Sequence, residues 1–394
     1  MSKSASTSPV PTRPGASPAQ GEQLWLRAAI ALLLLFIFLV GIRGMGSGFK
    51  GLGKGLLEAF FLETSNPFVA LVVGILGTTL VQSSSVTTSM IVAMVAAPAN
   101  PLPIQNAIPM IMGANIGTTV TNTIVALGHI GRPDEFRRAY SAATCHDFFN
   151  FMAVAVLLPL EIATGFLEKT SGLMASMVGT GGGGKLPNPI KTATKAALEP
   201  ITGAIEGITD DKQAASIILI AVSVAIIFLT LTGLVKVLRS LTASRLSVYV
   251  TRSLDSSAYA AMLIGVVITV MVQSSSITTS VLVPLAGAGL VTLEQVFPIT
   301  LGANVGTTVT ALLASMAAPP ETAALAVQIA LVHLLFNLVG IIGVYPLNPI
   351  RQIPLRAASW LAVTAVRSKR VALLYIVVLF YGLPAGLIAV SKLF

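Results

Sequence analysis

Charge is scarce in this chain. Of its 394 residues only 10% are Asp, Glu, Lys or Arg, where a soluble domain carries about 25%. So few charges cannot coat a water-soluble globule of this length, and a mean hydropathy of +0.87 makes the bilayer the main solvent. A cytosolic enzyme, a secreted disulfide scaffold and a disordered chain are all excluded. Cysteine is nearly absent. The single Cys145 rules out an intramolecular disulfide and a Cys-based zinc site. Histidines number three, and no H-x-x-H or paired-acid spacing occurs. A membrane enzyme would need a nucleophile with a base or a metal-ligand cluster, so the chain is read as no enzyme. The net charge is +9, but the bases sit between apolar runs. That is a topology signal, not a nucleic-acid face, so no nucleic-acid partner is expected.

What is present is a series of apolar runs. Residues 1–22, rich in Ser, Pro, Thr and Ala, read as a disordered tail. Apolar spans follow at 25–42, 108–127, 144–160, 216–238, 296–314, 323–345 and 371–390. The first starts late and is followed by Arg43, so it reads as a retained span, not a signal peptide. Gly-rich residues 44–61, with Lys50 and Lys54, read as interfacial, and 165–213 as a long aqueous loop. Glu161, Glu294 and Glu321 are expected to be solvated near span ends. Two segments, 66–97 and 258–285, are apolar but broken by a polar QSSS. Such a break at membrane depth survives only where it is buried in protein or lines a cavity, which predicts re-entrant hairpins. Gly113–Gly117 and Gly302–Gly306 predict further breaks.

The halves repeat. VQSSSVTTS at 81–89 returns as VQSSSITTS at 272–280, GANIGTTVT at 113–121 as GANVGTTVT at 302–310, and HDFFN at 146–150 as HLLFN at 333–337. Order and spacing are kept, so the chain is a tandem duplication. Charge gives its sense. Arg132, Arg137 and Arg138, then Lys236, Arg239, Arg245 and Arg252, then Arg351, Arg356, Arg367, Lys369 and Arg370 form three basic clusters. Placing them in the cytoplasm makes the first half cross three times and puts the N-terminus inside. The second half then starts outside, which makes an inverted repeat, with Lys50 and Lys54 left on the outer side. Inverted repeats with broken helices are the pattern of secondary transporters, with the site at the midplane between halves.

The motifs suit ions. Gln82-Ser83-Ser84-Ser85 and Gln273-Ser274-Ser275-Ser276 sit where an apolar segment stops and a helix restarts. Serine caps helices, and the exposed N–H groups with the helix dipole favour an anion there. Two tips from opposite halves would bracket one oxyanion, with Asn115 and Asn304 beside it. These segments contain no Lys or Arg, so cations must balance the charge, and Na⁺ takes oxygen ligands of the kind Gln, Ser and Thr provide. Each ion stabilises the other in low dielectric, which is coupling. Asp147 is the acid to single out. A carboxylate within a span is costly and functional by default, and Asn150 shares its helix face. Leu334 stands at the matching position of the second half. The alternative is local pairing of Asp147 with His146 or Arg138. For His146 and His333, packing and interhelical hydrogen bonding is the expected role.

Both QSSS and both GAN-x-GTT motifs, with the stretch from Ile108 to Asn150, resemble the type II sodium–phosphate cotransporter family of animal renal and intestinal carriers and their bacterial relatives. The resemblance spans roughly 60–165 and 215–385. It implies sodium ligands at Gln273, Thr307 and Thr310 and, by pseudo-symmetry, at Gln82, Thr118 and Thr121. It also implies that Asp147, with Asn150, marks an electrogenic carrier using an additional Na⁺. Ala143 fits that pattern and Ser141 does not. His129 and Arg132 stand where members commonly have Gln and Asp; Asp134 is a candidate substitute.

The expectation is an all-α polytopic membrane protein: an inverted structural repeat with two re-entrant helical hairpins and broken transmembrane helices. Its parts are the tail (1–22), a first repeat (23–164), an extracellular loop (165–214), a second repeat (215–350) and a cytoplasmic basic linker with a terminal span (351–394). The implied function is sodium-coupled, electrogenic import of inorganic phosphate across the cell membrane by alternating access. The rival substrate is another small oxyanion or a dicarboxylate. Na⁺ is the coupling ion and no organic cofactor is implied. The lipid bilayer is the partner, and nothing in the sequence sets an oligomeric state.

Overall fold

A computed structural model of the protein describes residues 18–51, 64–178, 189–253 and 257–391. Every regular element among them is a helix. The first half holds α1 (Pro18–Gly51), α2 (Pro67–Val81), α3 (Ser84–Val95), α4 (Ile104–Gly117), α5 (Val120–Leu127) and α6 (Pro133–Thr164). Between the repeats lie α7 (Phe166–Val178) and α8 (Pro189–Glu206). The second half holds α9 (Lys212–Ser253), α10 (Ala258–Val272), α11 (Ser275–Gly287), α12 (Leu293–Ser315) and α13 (Ala323–Val344). Then come α14 (Asn348–Arg367), α15 (Lys369–Val377), a π-helical turn (Val378–Gly382) and α16 (Leu383–Ser391).

Among the described residues, seven helical stretches are long and apolar enough to cross a bilayer: Trp25–Met45, Ile104–Leu127, Pro133–Thr164, Lys212–Leu234, Leu293–Ser315, Ala323–Val344 and Lys369–Ser391. They coincide with the seven expected spans. The hairpin arms α2, α3, α10 and α11 have 15, 12, 15 and 13 residues. At 1.5 Å per residue they reach roughly 18–23 Å, short of the ~30 Å hydrocarbon core. Their starts are set by capping. Asn66 Oδ1 accepts from Phe68 N at 2.9 Å ahead of Pro67, and Ser257 Oγ accepts from Ala260 N at 3.3 Å. Thr292 and Gln295 form a reciprocal capping box at the start of α12.

The glycines of the GAN motifs do something other than open the backbone. α12 runs unbroken through Gly302 and Gly306, and α4 and α5 are parted only at Thr118–Thr119. A Cβ on Gly113 would lie 1.9 Å from Leu71 O, and one on Gly302 1.9 Å from Met262 O. Facing glycines complete each contact: a Cβ on Gly74 would lie 2.0 Å from Met110 O, and one on Gly265 2.2 Å from Ile299 O. Small residues four apart let backbones approach, as between helices in lipid. Each first hairpin arm, α2 or α10, thus lies flat on the GAN helix of its own half. Each second arm leans on the other half: α3 packs against α12, and α11 against α5 and α6.

Four other expectations change. Residues 44–51 continue α1, because Gly44 and Gly48 seat it against α9; Cβ atoms there would come within 2.5 Å of Ser223 Oγ and 2.6 Å of Ile220 Cγ1. Residues 52–61, with Lys54, lie outside the described residues. The loop at 165–213 carries helices α7 and α8, with 179–188 outside the described residues. Glu161 is buried: its carboxylate accepts from Leu167 N at 2.5 Å and Glu168 N at 3.2 Å, capping α7. The helix α1 begins at Pro18, inside the expected tail, of which 1–17 lie outside the described residues.

Candidate ion and anion site

Both hairpin tips have one design. At Gln82 and Gln273 the backbone turns left-handed, with φ of 57° and 55°. That region favours Gly or Asn, so Gln there must be held by its surroundings. In each tip the side-chain amide does the holding. Gln82 Nε2 donates to Thr79 O at 2.5 Å and Gln273 Nε2 to Val270 O at 2.7 Å. The amide oxygens accept from threonines of the GAN helices: Thr121 Oγ1 to Gln82 Oε1 at 3.1 Å, and Thr310 Oγ1 to Gln273 Oε1 at 3.0 Å. Ser83 and Ser274 then restart the helix. Both are extended, and their hydroxyls accept from Val86 N at 3.3 Å and Ile277 N at 3.4 Å. Exposure separates the tips. Gln82 is exposed while Gln273 is 8% exposed. Ser84, Ser85 and Ser275 are buried and Ser276 is partly so, at the N-termini of α3 and α11.

A buried amide–imidazole network joins the halves. His146 Nε2 donates to Asn304 Oδ1, and Asn304 Nδ2 to Asn150 Oδ1 at 3.0 Å. Asn150 Nδ2 donates to Asn115 O at 3.0 Å, and Asn337 Nδ2 to His333 O at 3.0 Å, with a long 3.5 Å contact to Asn115 Oδ1. All six residues are repeat mates. The interhelical role expected of His146 is seen, whereas neither ring nitrogen of His333 has a partner among the described residues. Of the two residues expected as anion ligands, Asn304 has both amide atoms engaged across helices, whereas the Asn115 amide donates to Ile111 O of its own helix at 3.4 Å and accepts only the long contact from Asn337.

The threonines face the other way chemically. Thr118 Oγ1 donates to Ala114 O and Thr307 Oγ1 to Ala303 O, both at 3.0 Å. A hydroxyl whose hydrogen is spent on the backbone presents lone pairs, which suits a cation. Asp147 is fully buried, and its Oδ2 accepts from Tyr375 OH at 2.7 Å. Its Oδ1 has no hydrogen-bond partner among the described residues. The local pairing with Arg138 is not made; that guanidinium donates to Gly287 O at 2.9 and 2.7 Å. Asn150 turns instead to Asn115 and Asn304, so the two residues share a helix but serve different neighbours. His129 and Arg132 both meet Glu135, at 3.3 Å and 3.0 Å, and Asp134 is exposed.

Two residues here escaped sequence reasoning. Asn122 Oδ1 accepts from Thr279 Oγ1 at 2.9 Å and Ser280 Oγ at 3.1 Å, tying the second hairpin to α5. Its repeat mate is Ala311, and Ser89, mate of Ser280, has a buried hydroxyl without a partner among the described residues. That mismatch within an otherwise repeated motif was the available signal. Tyr375 lies outside the repeat and offered none.

The chain matches the Na⁺/Pi-cotransporter family over residues 37–182 and 226–383, a span taking in both hairpins and the terminal helix as far as Leu383. The chain belongs to this family. Cotransporter relatives include the rat sodium-dependent phosphate transport protein 2A, 35% identical over 434 residues, which cover 93% of this chain and 68% of the relative. The mouse 2A protein has the same identity and coverage, and the human 2B protein is 32% identical across 93% of this chain and 65% of its own length. No solved structure matches the chain. Membership makes this a transporter, and the unmatched stretch 183–225 falls in the connection between repeats and the start of α9.

Proposed function

We propose that this cotransporter imports inorganic phosphate with Na⁺ across the cell membrane by alternating access between two inverted halves. The observation that carries this reading is the mirrored tip, in which Gln82 with Thr121 and Gln273 with Thr310 make the same contacts on opposite repeats. Each pair sets an amide oxygen and a hydroxyl beside the N-terminus of a serine-capped helix. The helix ends favour the oxyanion and the uncharged oxygens favour Na⁺. Without Lys or Arg in these segments, neither ion is well held alone, so binding is mutually dependent. The phosphate role falls to Ser83, Ser84, Ser85, Ser274, Ser275 and Ser276, with Asn115 and Asn304 as the further phosphate ligands. The Na⁺ role falls to Gln82, Thr118, Thr121, Gln273, Thr307 and Thr310. Names of relatives such as sodium-dependent phosphate transport protein 2A support this substrate pair over a dicarboxylate.

The N-terminus is cytoplasmic in this reading, since Arg132, Arg137, Arg356, Arg367, Lys369 and Arg370 are exposed near span ends. Asp147 takes a further Na⁺ and makes transport electrogenic. Hydrogen phosphate with two Na⁺ is neutral, so a third Na⁺ moves one charge per cycle. One charge is worth about 2.3 kcal/mol per 100 mV, roughly a fifty-fold gain in accumulation.

The test is uptake of labelled phosphate into proteoliposomes with and without an inward Na⁺ gradient. Gradient-driven uptake is expected for the wild type and its loss, at least about ten-fold, for a folded Gln273→Ala protein. Wild-type uptake by Gln273→Ala, or uptake indifferent to Na⁺, would sink the assignment.

A further inference from the structure

A cavity of about 330 Å³ opens at the foot of the second hairpin. It lies at the end of α11 opposite the serine-capped tip, roughly 20 Å along that helix. Arg137, Arg138 and Ser141 line it from α6, Gly289 and Thr292 from the α11–α12 turn, and Ser359 from α14. The first half therefore brings the bases and the second half the turn they face. No acid is among its described lining residues. The acids near them in sequence are accounted for: Glu135 is paired with Arg132 and His129, and Asp134 and Glu294 are exposed.

The two arginines have different duties. Arg138 donates through Nε and Nη2 to Gly287 O at 2.9 and 2.7 Å. A Cβ on Gly289, where φ is +75°, would lie 3.7 Å from its Nε, so the guanidinium lies along the turn. It caps the carbonyl end of α11, which accounts for its place and leaves Nη1 over. Arg137 has no such employment: it makes no hydrogen bond through its side chain and no ion pair among the described residues. Ser141 and Ser359 spend their hydrogens on Arg137 O and Leu355 O, at 2.9 and 2.8 Å. The donors left to the cavity are guanidinium N–H groups. Such forks match a phosphoryl group, which takes two parallel N–H bonds from one guanidinium. Basic pockets between spans near the cytoplasmic surface hold phosphorylated head groups on the same grounds. Here the guanidinium charges themselves balance the anion. Unlike the hairpin tips, the cavity requires no Na⁺.

We propose that this cavity is a Na⁺-independent binding site for a phosphoryl group, supplied as inorganic phosphate or as a lipid headgroup, with Arg137 as its principal ligand. Arg138 already ties α6 to α11. An occupant shared by both arginines and the α11–α12 turn holds the foot of the second hairpin against the opposite half. Assigning this face to the cytoplasm rests on the orientation proposed above; the cavity does not.

The experiment labels a thiol introduced into the wall. Ser359→Cys, in a Cys145→Ala background, is reconstituted in phosphatidylcholine with K⁺ as the cation, and its reaction with N-ethylmaleimide is timed. Inorganic phosphate, against chloride at equal ionic strength, should slow labelling by about three-fold at twice its Kd. If the bilayer is the source, phosphatidic acid in the vesicles gives the protection and inorganic phosphate gives none. Either protection should vanish in Arg137→Gln, an exposed position, and persist in Gln273→Ala. Equal rates in chloride, phosphate and phosphatidic acid would overturn the site, as would protection that survives Arg137→Gln. Protection lost in Gln273→Ala would move the phosphoryl group to the hairpin tip and overturn it too. Val363→Cys, on the same wall, gives the same reading if Ser359→Cys does not insert. An impermeant maleimide that reaches the thiol from outside sealed cells would reverse the proposed orientation and leave the site standing.

Discussion

Removing one side chain, Asn122, should loosen the second hairpin measurably. Its amide oxygen is the acceptor for both Thr279, at 2.9 Å, and Ser280, at 3.1 Å. Thr279 keeps a second acceptor, Ser275 O at 2.8 Å, so Asn122→Ala costs it a shared bond and leaves Ser280 without this one. Hydrogen bonds between helices in membranes average about 0.6 kcal/mol and reach about 1.7. Two such bonds put the loss at about 1–3 kcal/mol, or roughly 5- to 150-fold in the opened population. The protein carries its own reporter. Cys145 is its single cysteine, and it is fully buried on α6, the helix against which α11 packs. Maleimide labelling of Cys145 in mild SDS reads the fraction of molecules that open. Asn122→Ala should label at least about five-fold faster than wild type. Ser89→Ala is the matched control: its hydroxyl has no partner among the described residues, so labelling should stay within about two-fold. Equal rates for Asn122→Ala and Ser89→Ala would refute the reasoning, because the tie between hairpin and opposite half would then carry no energy.

Two further outcomes follow from the geometry. Gly302→Ala places a methyl group 1.9 Å from Met262 O, so α10 must move off α12, with a cost of about 1–3 kcal/mol; Cys145 labelling should accelerate, whereas Gly343→Ala, where a Cβ meets nothing within 4 Å, should leave it at the wild-type rate. For topology, a cysteine at Gly131, another position with nothing within 4 Å, should react with an impermeant thiol reagent only from the cytoplasmic side, and one at Ile208, 73% exposed, only from outside, both in a Cys145→Ala background; the opposite pattern reverses the orientation, and labelling of both from one side removes the three-crossing first half and with it the inversion.

The sequence by itself determined the solvent, the spans and the duplication. Apolar runs long enough to cross a bilayer must pair their backbone groups internally, so they become helices whatever surrounds them. A QSSS between apolar runs likewise dictates a helix stop and restart, since serine caps locally. The pairing of Gln82 with Thr121 and of Gln273 with Thr310 was half legible: the motif repeats named the residues, but not which of Thr118 or Thr121 would reach the amide. Tertiary structure alone decided the rest. The GAN glycines read as hinges along the chain; that Gly113 and Gly302 are contact points depends on carbonyls of α2 and α10 arriving 1.9 Å from where a Cβ would stand. His146 Nε2 finds Asn304 while neither ring nitrogen of His333 has a partner among the described residues, although both sit in the same motif, because the neighbours of a repeat are not themselves repeated. Asp147 was conspicuous as an acid in a span, yet its partner Tyr375 lies 228 positions along the chain on a helix with no repeat mate. Local rules act over a turn or two of chain; a partner that distant is chosen by packing, and no periodicity records it.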